Sequence, residues 1–254
     1  MPVSPSDPWP LFSICTLVSD RTQHAAMCAS LLGGGFRSDC AEYLMVDNTA
    51  GNAWCAYTGI AHLLDQARGR YIILCHQDIR LLSDGAVELA TRLDQLTVRD
   101  PGWGLAGNAG VTGEGILALR ITDPHGAGQS RGPFPTRVVS LDENFIVLRA
   151  AAGIRPSATL SGFHLYGTDL CLQARSFGRS AWVIDFHLRH LSGGRVDAGF
   201  LRQQALFERS WGRRLGRSEC IRTTCTTLTL RAGFASGLLG EWRLSRRRAR
   251  LGVG

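Results

Sequence analysis

Asp78 stands three residues beyond the apolar run Tyr71–Cys75 (YIILC), where a buried strand would release its backbone. A carboxylate there can hold a hard cation such as Mg2+ or Mn2+, which takes few protein ligands and completes its shell with phosphate oxygens. It can equally cap a turn. Asp169 lies at the start of an apolar helical stretch, as a general base for an attacking hydroxyl or as a partner of the helix dipole. His190, just before Ser192-Gly193-Gly194, offers either a neutral imidazole to a metal or a packed ring, and His187 competes for the ligand role. Asp47, closing a second apolar run, can accept hydrogen bonds from a ribose or a base.

The elements that would carry these residues are legible from hydrophobic pattern. Strands are expected at Leu11–Val18, Tyr43–Val46, Tyr71–Cys75, Trp103–Ala109, Ile116–Ile121 and Ala181–Phe186. Helices are expected at Arg21–Leu32, Ala53–Ala67, Asp84–Leu96, Tyr166–Phe177 and Ala198–Trp211, several closed by glycine. A strand-like portion surrounds Asp142-Glu143, and Asp123–Pro135, rich in Gly and Pro, is expected as a loop. Alternating strands and helices predict an α/β fold with a mostly parallel sheet, covered on both faces because its strands are continuously apolar. Ligands then bind at the carboxyl ends of the strands, where Asp47, Asn48, His76, Gln77 and Asp78 cluster.

Composition narrows the classes. The chain has 254 residues, net charge +7, no lysine and 28 arginines. From Arg195 onward there are 13 arginines against four acids, while residues 1–194 carry 15 arginines and 17 acids. The body is thus nearly neutral, the basicity belongs to the C-terminal quarter, and no nucleic-acid partner is expected. Eight cysteines form no CxxC pair, which speaks against zinc and for a reducing compartment. The first ten residues lack the basic and apolar regions of a secretory signal, and no run is long enough to span a bilayer, so a cytoplasmic protein is expected. Phosphate-binding GxxxxGK[ST] and GxGxxG loops and a hydrolase nucleophile elbow are absent.

Taken in order, Val46-Asp47-Asn48, Tyr57-Thr58-Gly59-Ile60, Gly69-Arg70-Tyr71 through His76-Gln77-Asp78, and Gly102–Gly107 resemble the nucleotide-binding half of GT-A glycosyltransferases of family 2 type. Leu141-Asp142-Glu143, Gly162–Tyr166, Asp169–Arg175 and His190–Gly194 resemble the acceptor half, in a bacterial subgroup with His-Gln-Asp in place of the two-acid DxD motif. The resemblance implies a single Rossmann-like GT-A domain over residues 11–215, divided near residue 110, with a leader (1–10) before it and a basic helical tail (216–254) after it. It implies sugar transfer from a nucleotide-diphosphate sugar to a hydroxyl of a glycan, glycolipid or other saccharide, with inversion and with Mn2+ or Mg2+. Asp78 and His190 would hold the metal, Asp47, Asn48, Gln77 and Asp78 would face the donor, and Asp169 would be the base. Thr168 and Thr58 depart from the Glu and Asn that many members carry there.

Two other readings share this layout: an inactive sugar-nucleotide binder, and a sugar nucleotidyltransferase. The second would need a glycine-rich basic loop after the first strand, where this chain has Val18-Ser19-Asp20-Arg21. In the tail, Leu238, Leu239, Trp242 and Leu244 interleave with Arg243, Arg246, Arg247, Arg248 and Arg250, a pattern that suits an interfacial helix on anionic lipid at the inner face of the cell membrane.

Overall fold

The computed structural model describes residues 10–194 and 196–233. The first half of the chain runs β1 (Phe12–Val18), α1 (Arg21–Gly33), β2 (Ala41–Asp47), α2 (Ala56–Gln66), β3 (Tyr71–Cys75), β4 (Ile79–Leu81), α3 (Ala86–Arg99) and β5 (Trp103–Gly107). Six strands follow: β6 (Ala109–Val111), β7 (Leu117–Asp123), β8 (Gly126–Arg131), β9 (Thr136–Val138), β10 (Ser140–Leu141) and β11 (Phe145–Arg149). The last elements are α4 (Tyr166–Ser176), β12 (Ser180–Val183), β13 (Leu188–His190), α5 (Ala198–Arg214), β14 (Glu219–Arg222) and β15 (Thr227–Leu230).

The central sheet has the order β2-β1-β3-β11-β5-β12-β9. Five of its seven strands point one way, and β11 and β9 run against them. Strand residues alternate between two cores. Tyr71, Ile73 and Cys75 pack with Met27 and Leu31 of α1 and with Leu89, Leu93 and Leu96 of α3. Ile72 and Leu74 pack on the other face with Ile60 and Leu63 of α2, Leu170 and Leu172 of α4, and Phe207 and Trp211 of α5. Both faces are therefore covered, which is why these strands read as unbroken apolar runs.

A second sheet, β10-β6-β7-β13-β4, stands at the carboxyl end of the first. Two pairings in these sheets set the site. In β11 against β3, Phe145 lies opposite Cys75, and the His76 amide donates to the Asn144 carbonyl (3.0 Å). In β13 against β4, His190 lies opposite Ile79, and the Leu191 amide donates to the Asp78 carbonyl (3.1 Å).

Three expectations are corrected. The loop expected at Asp123–Pro135 contains β8, which pairs with β7 in a hairpin. Its residues are half-buried or exposed, so backbone bonding alone defines it. His190, expected beyond the strand Ala181–Phe186 with no strand of its own, ends a short strand of the second sheet. The first part of the expected helical tail is the hairpin β14-β15, which packs on α5 through Leu228 and Leu230; the remaining residues, 234–254, lie outside the described residues together with their arginine cluster. No helix among the described residues is long and apolar enough to cross a membrane.

Candidate active site

At the carboxyl ends of β1 and β3 a cavity of about 500 Å3 opens, with Leu17, Asp20, Ile60, His76, Gln77, Asp78, Phe163 and Tyr166 among its walls. That volume is ordinary for a small-molecule site. Ligating atoms of His76, Asp78 and His190 all lie within 4.8 Å of one another. Two segments supply them, the β3–β4 link with His76 and Asp78 and the end of β13 with His190, and the pairing of β13 with β4 brings the two together.

The hydrogen bonds fix how these side chains face. Tyr166 donates its hydroxyl to the Glu143 carbonyl (3.1 Å), and its oxygen lies 3.0 Å from His76 Nε2. A carbonyl only accepts and a phenol has one proton, so the Tyr166 oxygen takes its second bond from Nε2–H of His76. His76 Nδ1 is then unprotonated, 3.2 Å from His190 Nε2. The same His190 nitrogen lies 3.3 Å from Asp78 Oδ1 and 3.2 Å from Ser192 Oγ. One proton on His190 thus faces the lone pairs of His76, Asp78 and Ser192, the converging arrangement in which a divalent cation replaces a proton.

Charge preferences agree. Burial pushes the His76 pKa down to about 4, helped by positive charge on His190, so the imidazole is a neutral donor. Burial opposes charge on His190, but its hydrogen bond to Asp78 and that carboxylate's charge outweigh it and raise the pKa. Burial likewise favours a neutral Asp78, yet the bond and charge of His190, with Ser192 and His76, hold its carboxyl well below the usual range. The donor set of two imidazoles and one ionised carboxylate fits a divalent metal.

Other expected residues fall around this centre. Gln77 accepts from the Ser19 and Asp20 amides (both 2.9 Å) and donates to Ser19 Oγ, tying the β1–α1 loop to the cavity wall. Asp47 is exposed at the end of β2, paired with Arg21 and accepting from Thr49 N (2.9 Å) and Oγ1 (2.7 Å). Asn48 is buried, and both ends of its amide bind the Trp54 backbone. It pins the loop before α2, which is why that helix starts at Ala56 and not at Ala53. His187 bonds to Thr122 Oγ1 (2.9 Å) and takes no part in the cluster.

Asp169 does not reach the cavity. It is 0% exposed, and it accepts from Ser157 N (2.7 Å), Ser157 Oγ (2.6 Å) and Trp211 Nε1 (2.8 Å). A carboxylate enclosed in this way has no open face for an acceptor hydroxyl, so the base role expected of it does not fit its placement. Sequence reasoning missed His76 as a ligand and Tyr166 as its support; the HxD spacing, which puts both side chains beyond one strand end, was the available signal.

No family model matches the chain. A crystal structure of GalNAc-T7 with UDP, GalNAc and Mn2+ superposes with a TM-score of 0.56 at 8% identity, covering 81% of this chain and 49% of that one. The crystal structure of residues 1–349 of S. aureus TarS with UDP gives 0.53 at 12% identity, over 78% of this chain and 64% of that one. With UDP-GlcNAc it gives 0.52 at 11%, over 78% and 65%. The chain therefore has the GT-A fold of glycosyltransferases, and spans about half to two thirds of the length of these solved proteins. In sequence it is 38% identical over 205 residues to the ATP synthase subunits region ORF 6 protein of Fuscovulum blasticum, an alignment covering 76% of this chain and 81% of that protein, and it belongs to the same family.

Proposed function

We propose that the protein is an inverting, family 2-like glycosyltransferase that moves a sugar from a nucleotide-diphosphate donor to a hydroxyl of a saccharide or lipid-linked acceptor. The observation that carries this is the convergence of His76, Asp78 and His190 at the wall of the cavity where the strands end. His76-Gln77-Asp78 takes the place of a two-acid motif. Two imidazoles favour Mn2+ over Mg2+, because nitrogen ligands suit the softer ion. When bound, the cation would neutralise charge developing on the departing diphosphate. The bound UDP, sugar and Mn2+ of GalNAc-T7 and the bound UDP-GlcNAc of TarS support the donor class at the level of shared fold.

Within this reading Asp78, half-buried and ionised, anchors the metal, while Gln77 holds the β1–α1 loop that faces the diphosphate. Asp47 and Arg21 form an exposed rim at the end of β2 for the nucleoside. The arginine-rich C-terminal quarter supports action at an anionic surface on charge alone, and a lipid-linked acceptor is compatible with it.

Calorimetric titration of UDP-, GDP- and dTDP-sugars into wild type and Asp78→Ala, with and without Mn2+, tests the proposal. Mn2+-dependent binding of one donor class is expected, weakened at least about tenfold in the variant. Folded wild-type protein that binds none of them under any condition sinks it. Binding without any turnover would make the chain a sugar-nucleotide binder.

A further inference from the structure

With Asp169 enclosed, the transfer lacks an identified base, and the carboxylates around the site differ in what they can still do. Asp78 belongs to the metal cluster. Asp20 caps α1, accepting from Thr22 N (2.8 Å) and Gln23 N (3.0 Å). Asp142 has both oxygens engaged: Oδ1 accepts from Asn144 N (3.1 Å) and Nδ2 (2.6 Å), and Oδ2 accepts from Thr224 Oγ1 (2.7 Å). Glu143 is different. It is half-buried and forms no ion pair with Arg or His among the described residues, and its carboxylate is held by main-chain amides alone, those of Leu165, Tyr166 and Gly167 where α4 begins, with Gly167 N at 3.3 Å from Oε1.

Its position is set by the same register that builds the metal cluster. The segment Asp142–Asn144 enters β11 directly opposite the end of β3, and the Glu143 carbonyl is bridged to His76 by the Tyr166 hydroxyl. Gly167 makes room for it: a Cβ at that position would lie 2.5 Å from the Leu141 carbonyl and 3.2 Å from Glu143 Cγ. The Glu143 main chain is thus tied to His76 through Tyr166, which lines the cavity, and its side chain lies against Gly167, the next residue along α4.

We propose that Glu143 is the general base of the transfer. This rests on the glycosyltransferase reading above and adds the identity of the proton acceptor. In the step, the acceptor hydroxyl oxygen forms a bond to the anomeric carbon while its proton passes to the Glu143 carboxylate. The bond from the anomeric carbon to the diphosphate oxygen breaks, and its electron pair leaves with the nucleoside diphosphate. The groups facing Glu143 are Asp142 from its own segment, Tyr57 of α2, Tyr166 of α4 and Cys225 at the β14–β15 turn. None of these is cationic at neutral pH, so the site keeps a proton well once it has taken one.

Glu143→Gln and Glu143→Asp decide the matter, using UDP-N-acetylglucosamine, UDP-N-acetylgalactosamine, GDP-mannose and dTDP-glucose as donors and water or a saccharide mixture as acceptor. The amide oxygen of Gln can still accept from Gly167, so the N-terminus of α4 keeps its contact. Expected are unchanged donor affinity with Mn2+, a kcat lowered about 10²–10⁴-fold in Glu143→Gln, partial recovery in Glu143→Asp, and loss of the wild-type rise of rate with pH in the Gln variant. Glu143→Gln with wild-type kcat and an unaltered pH profile, beside normal donor binding, overturns the inference and leaves the glycosyltransferase reading standing. Wild-type protein that binds none of the donors, or binds one and transfers it to no acceptor, overturns both.

Discussion

The Tyr166 hydroxyl lies 3.0 Å from His76 Nε2 and donates its own hydrogen bond to the Glu143 carbonyl, which leaves His76 the tautomer whose unprotonated Nδ1 faces His190. Leu165, in the left-handed region at φ 67°, turns the chain into α4 immediately before this tyrosine. Gln203 holds the preceding loop, accepting from Phe163 N (2.9 Å) and His164 N (3.1 Å). The tyrosine is a positioning residue. Tyr166→Phe should lower Mn2+ affinity about 10–100-fold, the usual cost of losing a partner behind a metal ligand. Isothermal titration with Mn2+ plus UDP measures it, and the fold should persist because the ring remains.

Metal choice should follow donor softness. We expect Mn2+ to support donor binding better than Mg2+ in wild type. His190→Asp, which replaces an imidazole with oxygen ligands, should narrow that preference. Competition titrations with the two ions report the ratio; a wild-type preference for Mg2+ would contradict the two-imidazole site.

Asp169 should prove structural. Asp169→Asn presents an amide NH2 to donors at Ser157 or Trp211, leaving at least one buried group unsatisfied at about 1–3 kcal/mol each. For a chain of this size that corresponds to a Tm lower by roughly 2–12 °C. Differential scanning fluorimetry checks it. An unchanged Tm with abolished turnover would return the base role to Asp169.

Stability should depend on pH through Glu143. Burial and the neighbouring Asp142 push its pKa up to about 8, against an ordinary value of 4.5. The folded state therefore holds this proton more tightly than the unfolded chain, and its contribution is fully present below about 4.5 and lost as pH rises to about 8. Relative to Glu143→Gln, wild-type Tm should fall across that window and then run parallel above it. Paired melts from pH 4 to 9 show whether it does.

The C-terminal hairpin should be inseparable from the domain. Truncation after Gly216 removes Ile221, Leu228 and Leu230, all buried against α5 and its neighbours, and should give aggregated or partly unfolded protein. Truncation after Gly233 keeps them; the resulting protein should melt like wild type but pellet less with anionic liposomes.

Most of the frame was legible because it is written in local pattern. The apolar runs at β1 and β3 are long, unbroken and followed by polar residues, and that placed Asp78 at a strand end without any tertiary information. His190 was legible as a residue type but not as a strand residue, since β13 has three residues and exists only by pairing with β4 and β7. The polar edge strand β8 and the alternating β14 and β15 lacked the apolar density that marks a strand. Asp169 misled because a carboxylate in the first turn of a helix looks the same whether it faces a substrate or Trp211, which is 42 residues away in sequence. Glu143 comes beside His76 only through the antiparallel insertion of β11, and Tyr166 only through the packing of α4, and nothing local announces either.

That insertion also bears on how the fold can change. Residues 145–149, from the later half of the chain, complete the sheet of the earlier half by sitting between β3 and β5. The two halves are interleaved like the fingers of clasped hands, so a chimera spliced near residue 110 would pair a foreign strand into the middle of the central sheet. Change is therefore absorbed by the loops that join the strands, with the interleaved framework inherited whole.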